Sequence, residues 1–194
     1  MIARARRWLR RSGIRRLVRD RGGAVMIELA FAVPVLATLM LGGVEMARYV
    51  LLHQKLDRVA SSIGDLVSQA ETISVTDLQN IFDAARFVAN PFDLAAGGTV
   101  IVSSISNPLG VPDTKVNWQQ SGGGSIPATS KVGSAGAAAT LPAGFILADG
   151  QTIIVAEVFF DYTPWIFGGF TGSGQLYQRA LLRPRYGGLT SLSP

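Results

Sequence analysis

A chain of 194 residues, 48% of them hydrophobic, is long enough to bury one core of ordinary size in addition to a membrane segment. It has no cysteine and a single histidine, His53. Disulfides and thiolate metal sites are therefore excluded, and most metal or nucleophile–base constellations lose their ligands, so no cofactor, metal or catalytic residue is expected. The net charge of +5 does not mark a nucleic-acid binder, because nine arginines against Asp20 place +8 within residues 1–23 and leave −3 on the rest.

Those first 23 residues intersperse Ile2, Trp8, Leu9, Ile14, Leu17 and Val18 among the arginines. A short basic amphipathic helix on an inner leaflet fits the pattern, although the arginines alone suffice as a topology signal. From Ala24 to Val44 the chain runs 21 residues with one ionisable side chain, Glu28. About 20 such residues at 1.5 Å rise cross a bilayer core. The stretch is too long, and passes too directly into a helical pattern, for a secretory signal peptide. The positive-inside rule keeps 1–23 in the cytoplasm and sends the chain after Val44 across the membrane. Glu28 is the anomaly, since a carboxylate that deep costs several kcal/mol without a partner. It either finds a partner in assembly or stays protonated and hydrogen-bonded within the membrane.

Tyr49, Leu52, Leu56, Val59, Ile63, Leu66 and Ala70 recur at alternating steps of three and four. This predicts one helix from about Ala24 to Ala70, kinked at Pro34, whose outer seam packs on the protein's own sheet rather than in an intersubunit coiled coil. Glu45 is expected to be solvated where the helix leaves the bilayer. Ser74 to Asp77 resembles a helix-starting box, and Leu78, Ile81, Phe82, Ala85 and Val88 follow on one face until Asn90-Pro91.

Beyond Gly97-Gly98 the pattern turns to strands. One is predicted at 99–106 and a second at Thr114–Gln120, with Val116 and Trp118 toward one face. Residues 121–140 hold Gly122-Gly123-Gly124 and Ala137-Ala138-Ala139 and read as a hairpin tip or mobile loop. No Gly-Lys-Ser/Thr follows the glycines, so they are not a phosphate loop. Thr152–Tyr162 is the strongest strand and Gly174–Arg183 its partner. Between them Trp165, Ile166, Phe167 and Phe170 are expected to fold over the sheet as core, the alternative being a contact surface for a partner or the membrane. The fold class expected is α+β, pilin-like, with a long N-terminal helix, a short second helix and about four antiparallel strands. Its parts are a leader at 1–23, a span at 24–44 and an outer domain at 45–194.

Arg21-Gly22-Gly23-Ala24, Glu28, Pro34, the Gly42-Gly43-Val44-Glu45 exit, the run I-V-A-E-V-F-F-D-Y-T-P at 154–164 and Arg183-Pro184-Arg185 together resemble the TadE/TadG-like proteins. These are pseudopilins, or minor pilins, of bacterial tight-adherence (Flp-type) pili. The resemblance implies cleavage between Gly23 and Ala24 by a membrane prepilin peptidase, with Glu28 at the fifth place after the cut; cleavage after Gly22 would put it sixth. It also implies that Glu28 of one subunit pairs with the new Ala24 amine of a neighbour. Leu29 stands where a major Flp pilin has tyrosine, and the chain is several times longer, both of which point to a minor or priming component. The partners implied are the peptidase, other pilins, the assembly platform and the inner membrane, with no nucleic acid or small-molecule substrate.

The competing expectation is an uncut anchor that scaffolds secretion components or holds a ligand in the 121–140 loop. An enzyme ranks third. Asp113, Asp149, Glu157 and Asp161 are its candidate carboxylates, but sequence spacing alone does not bring them together.

Overall fold

The computed structural model describes residues 22–110, 113–166 and 172–193. Residues 1–21 of the expected leader at 1–23, and Phe167 and Phe170, lie outside them. The chain divides into two compact units, 1–44 and 45–194. In the first, helix α1 (Gly22–Ser68) begins and continues through Pro34, whose carbonyl accepts a hydrogen bond from Thr38 Oγ1 at 2.8 Å. Every large apolar side chain from Val25 to Val44 is exposed. A run of this length and composition is sufficient to cross a membrane, and lipid would cover what the protein leaves bare.

The second unit is α+β. Its helices are the remainder of α1, α2 (Val75–Ala89) and the four-residue α3 (Leu94–Gly97). Its strands are β1 (Gly98–Ser106), β2 (Lys115–Gly122), β3 (Thr152–Tyr162) and β4 (Gly174–Leu182). They form one antiparallel sheet in the order β2-β1-β3-β4. The Ser74 side chain and the Asp77 carboxylate cap α2 reciprocally, as the sequence predicts. The helix α3 has only Asp93 as its sign, whose carboxylate accepts from the Ala96 amide.

Period two explains the two cores. The even-numbered residues Ile154, Ala156, Val158, Phe160 and Tyr162 of β3 face the helices, meeting Leu52, Leu56, Val59 and Ile63 of α1 and Leu78 and Phe82 of α2. Leu66, placed in the seam by the sequence pattern, is exposed, and Val67 is buried instead. A straight helix at 3.6 residues per turn drifts off a strict 3.5-residue seam, and one turn past Ile63 the drift favours position 67. At Gly64 the helix packs on the sheet, where an added Cβ would meet the Leu182 side chain and stand 3.6 Å from the Cβ of Ala156.

On the opposite face Ile153 and Val155 pack with Ile105, Val116, Val132 and Leu147. Val116 and Trp118 thus fall in different cores, against the expectation of a shared face. A bulge is the reason: Ser104 pairs with Trp118 but Ile105 with Val116, so Asn117 is an extra residue that reverses the alternation. Its amide bonds Ser104 and Ser106.

The Gly/Ala-rich segment is packed rather than an open tip. Residues 136–139 hydrogen-bond along the start of β2, covering that edge, and Val132 is fully buried beneath the segment. Gly124 lies against the α3–β1 junction so tightly that a Cβ there would come within 1.9 Å of the Gly98 carbonyl oxygen and 2.5 Å of that of Leu94. Both obstacles are backbone and cannot rotate away. Gly124→Ala should destabilise the outer domain by roughly 2 kcal/mol, the range of overpacked cores, while Gly174→Ala, whose Cβ would meet nothing, should be near neutral; thermal denaturation of the two variants compares them.

Candidate functional site

Two groups of residues carry the functional question, one in each unit. In the first, Gly23 and Ala24 occupy the opening turn of α1, and Glu28 follows four residues after Ala24. All three are exposed. Positions i and i+4 share a helix face, about 6 Å apart along the axis. Among the described residues the Glu28 carboxylate makes no hydrogen bond or ion pair. A Cβ at Gly23 would meet nothing within 4 Å among the described residues, so no packing among them requires a glycine there.

In the second unit the structure assembles a site around Glu45, which the sequence placed in solvent. Glu45 is only 2% exposed. Its carboxylate accepts hydrogen bonds from the Tyr162 hydroxyl, from the Trp165 amide at 3.0 Å and from the Ile166 amide at 3.1 Å. The local chain explains the convergence: β3 ends at Tyr162, and Thr163-Pro164 turns the backbone so that two successive N–H groups aim at one anion. Arg48, one turn along α1, places a guanidinium nitrogen 3.6 Å from the same carboxylate and donates to the Thr163 carbonyl at 3.3 Å. Its guanidinium also lies over the Trp165 ring, 4.1 Å from the centroid. Tyr49 meets Tyr162 edge-on, with centroids 5.2 Å apart.

The Tyr162 hydrogen bond, opposed by burial and aided by the Trp165 and Ile166 amides and by Arg48, holds the Glu45 carboxyl below its ordinary value. Arg48 three residues after Glu45 is the only local sign of this site. Tyr162, Trp165 and Ile166 lie more than a hundred residues away, and nothing in sequence spacing joins them. The expectation that Trp165 and Ile166 form core is overturned as well. Trp165 is 75% exposed and Ile166 39%, because the backbone amides rather than the side chains are what this turn commits to the interior.

The candidate carboxylates of the enzyme reading are engaged separately. Glu157, fully buried on the sheet's second face, accepts from Ser130 Oγ, from the Lys131 amide at 3.0 Å and from the Tyr177 hydroxyl at 2.8 Å. Burial and the neighbouring Glu157 push the Tyr177 phenol up, so it stays protonated and donates. Asp149 accepts from Asn107 and Asp161 from Gln175, while Asp113 is exposed. No group of three or more potential metal ligands occurs among the described residues.

A carboxyl held below its ordinary value stabilises the fold above that value, and the contribution is lost as pH falls through the folded one. The outer domain should therefore lose stability as pH drops below the usual 4.5 of such a group. Glu45→Gln should lower stability at neutral pH and flatten this acid dependence. Thermal unfolding at stepped pH checks both, and a variant with the wild-type slope would show that Glu45 contributes nothing to it.

No curated protein and no solved structure matches the chain. Residues 23–64 match the family model described as TadE-like protein. The match starts at Gly23, contains Ala24, Glu28, Pro34 and Glu45, and ends within α1, so it bears out the resemblance over the apolar run and the helix that follows it.

Proposed function

We propose that the chain is a minor, pilin-like subunit of a tight-adherence pilus apparatus. In this reading the apolar run at 24–44 anchors it in a bacterial inner membrane, the arginine-rich leader stays in the cytoplasm, and residues 45–194 fold on the periplasmic side. The family match that opens at Gly23 and contains Glu28 is the observation that carries it.

Two physical points support the processing step. Glycine is among the poorest helix formers, costing about 1 kcal/mol relative to alanine, and no contact among the described residues requires one at position 23. A narrow protease cleft around the scissile bond is a reason from outside the chain. Hydrolysis would leave a carboxylate on Gly23 and an ammonium on Ala24 at the head of an apolar helix. That ammonium and the Glu28 carboxylate, which has no partner among the described residues, then need each other, and pairing between neighbouring subunits staggers them by about 6 Å, four residues of helix rise. The partners in this reading are the prepilin peptidase, other pilins and the assembly platform. The protein acts by assembly and performs no catalysis.

Glu28→Ala should impair pilus output and subunit association while leaving membrane insertion unchanged. Pilus counts, co-purification with neighbouring subunits and membrane fractionation of the variant measure the three. Normal piliation in the variant would remove Glu28 from the assembly contact.

A further inference from the structure

The turn after β3 leaves an exposed aromatic group. Trp165 is 75% exposed although its backbone is held at two successive residues by Glu45. Arg48 covers one face of its ring and leaves the remainder bare. Ile166 and Leu51 are exposed beside it, and Arg48, Leu51, Phe92, Phe160 and Trp165 line one groove of about 740 Å³. An exposed tryptophan over an apolar groove is a contact surface in search of an occupant.

Proximity identifies the occupant. Glu45 is the first residue after Val44, so one peptide bond joins the carboxylate that grips the Trp165 turn to the end of the apolar run. The amides of Trp165 and Ile166 lie 3.0 and 3.1 Å from that carboxylate. A span that ends at Val44 is thus followed at once by the residue that holds this turn. Tryptophan is enriched at that depth because its ring is apolar while its N–H still reaches polar headgroups.

We propose that the turn at 163–166 is an interfacial membrane contact, with Trp165 seated in the headgroup region of the leaflet from which α1 emerges. The lipid chemistry that fits is zwitterionic. Arg48 is already engaged by Glu45 and the Thr163 carbonyl, and Asp93 and Asp161 line the groove, so among the described residues lining it no free cation is offered to an anionic phosphate. Glu45 then does two things with one carboxylate: it fastens the sheet to the helix and holds the aromatic turn at the bilayer surface. The inference rests on the reading that residues 24–44 cross a membrane.

The test takes advantage of a chain without cysteine. Ile166→Cys, Val33→Cys within the span and Ile146→Cys, an exposed position on the loop after β2, are made one at a time in the full chain. Each is labelled with a nitroxide and reconstituted in phosphatidylcholine vesicles. Collision with oxygen, which concentrates in lipid, is compared with collision with a water-soluble nickel complex. The expected result at position 166 is loss of nickel collisions relative to 146, with oxygen collisions intermediate between 146 and 33. A water-like label at 166 beside a lipid-like label at 33 overturns the interfacial contact and leaves the span standing. A water-like label at 33 overturns both. A label at 166 shielded from both reagents means that protein covers the turn, and this too overturns a lipid occupant. Thermal stability of the labelled 166 variant, compared with the unlabelled parent, shows whether the Glu45 bonds persist.

Discussion

The Glu45 carboxylate is the constraint on which the outer domain depends. A buried anion so close to an apolar span is costly unless its oxygens are satisfied, and here a phenol, two amides and a nearby guanidinium do so. Those donors come from the end of β3 and the turn beyond it, so the bond ties the first residue after the apolar run to the last residues of a central strand. The core of Leu52, Leu56, Val59 and Ile63 then follows along α1 as a consequence of that starting point. Ser68 and Asp65 fasten the far end, through the Arg185 amide and guanidinium at 2.8 and 2.7 Å. This half of α1 is pinned at one end to β3 and the turn after it, and at the other to the segment that follows β4.

A second buried carboxylate organises the opposite face. Glu157 neighbours the helix-facing residues of β3 in sequence but points away from them, and Ser130, Lys131 and Tyr177 converge on it. This draws the 121–140 segment down onto the sheet. The same segment pairs with the β2 edge, so a stretch of small residues serves as a cover rather than a tether. Glycine is necessary at its closest point, Gly124, because backbone carbonyls occupy the place of a side chain. The two anions therefore fix the two faces, one against the helices and one against the loop.

Periodicity made the elements legible. The α+β class, the long first helix, the capped second helix and all four strands follow from apolar spacing and turn residues in the sequence. What stayed hidden depends on contacts distant along the chain. Glu45 looks solvated until Tyr162 is brought to it, and Trp165 looks like core until its amides are seen to do the anchoring. Asn117 shows no sign of being an extra residue until its pairing with β1 is known, and only then do Val116 and Trp118 separate onto opposite faces. Leu66 fails for a smaller reason, the drift between a 3.5 and a 3.6 repeat. Gly23, Ala24 and Glu28 were legible as a motif because their significance is local spacing. All three are exposed in the structure, as an assembly role requires, and the role is left to be tested outside the single chain.

Processing between Gly23 and Ala24 is the central claim, and an intact-mass and N-terminal sequence measurement tests it most directly. The protein would be purified from membranes of cells with and without the prepilin peptidase. A mature chain beginning at Ala24 only when the peptidase is present is the predicted result. A chain beginning at Met1 in both would contradict it, and the protein would then be an uncut membrane anchor.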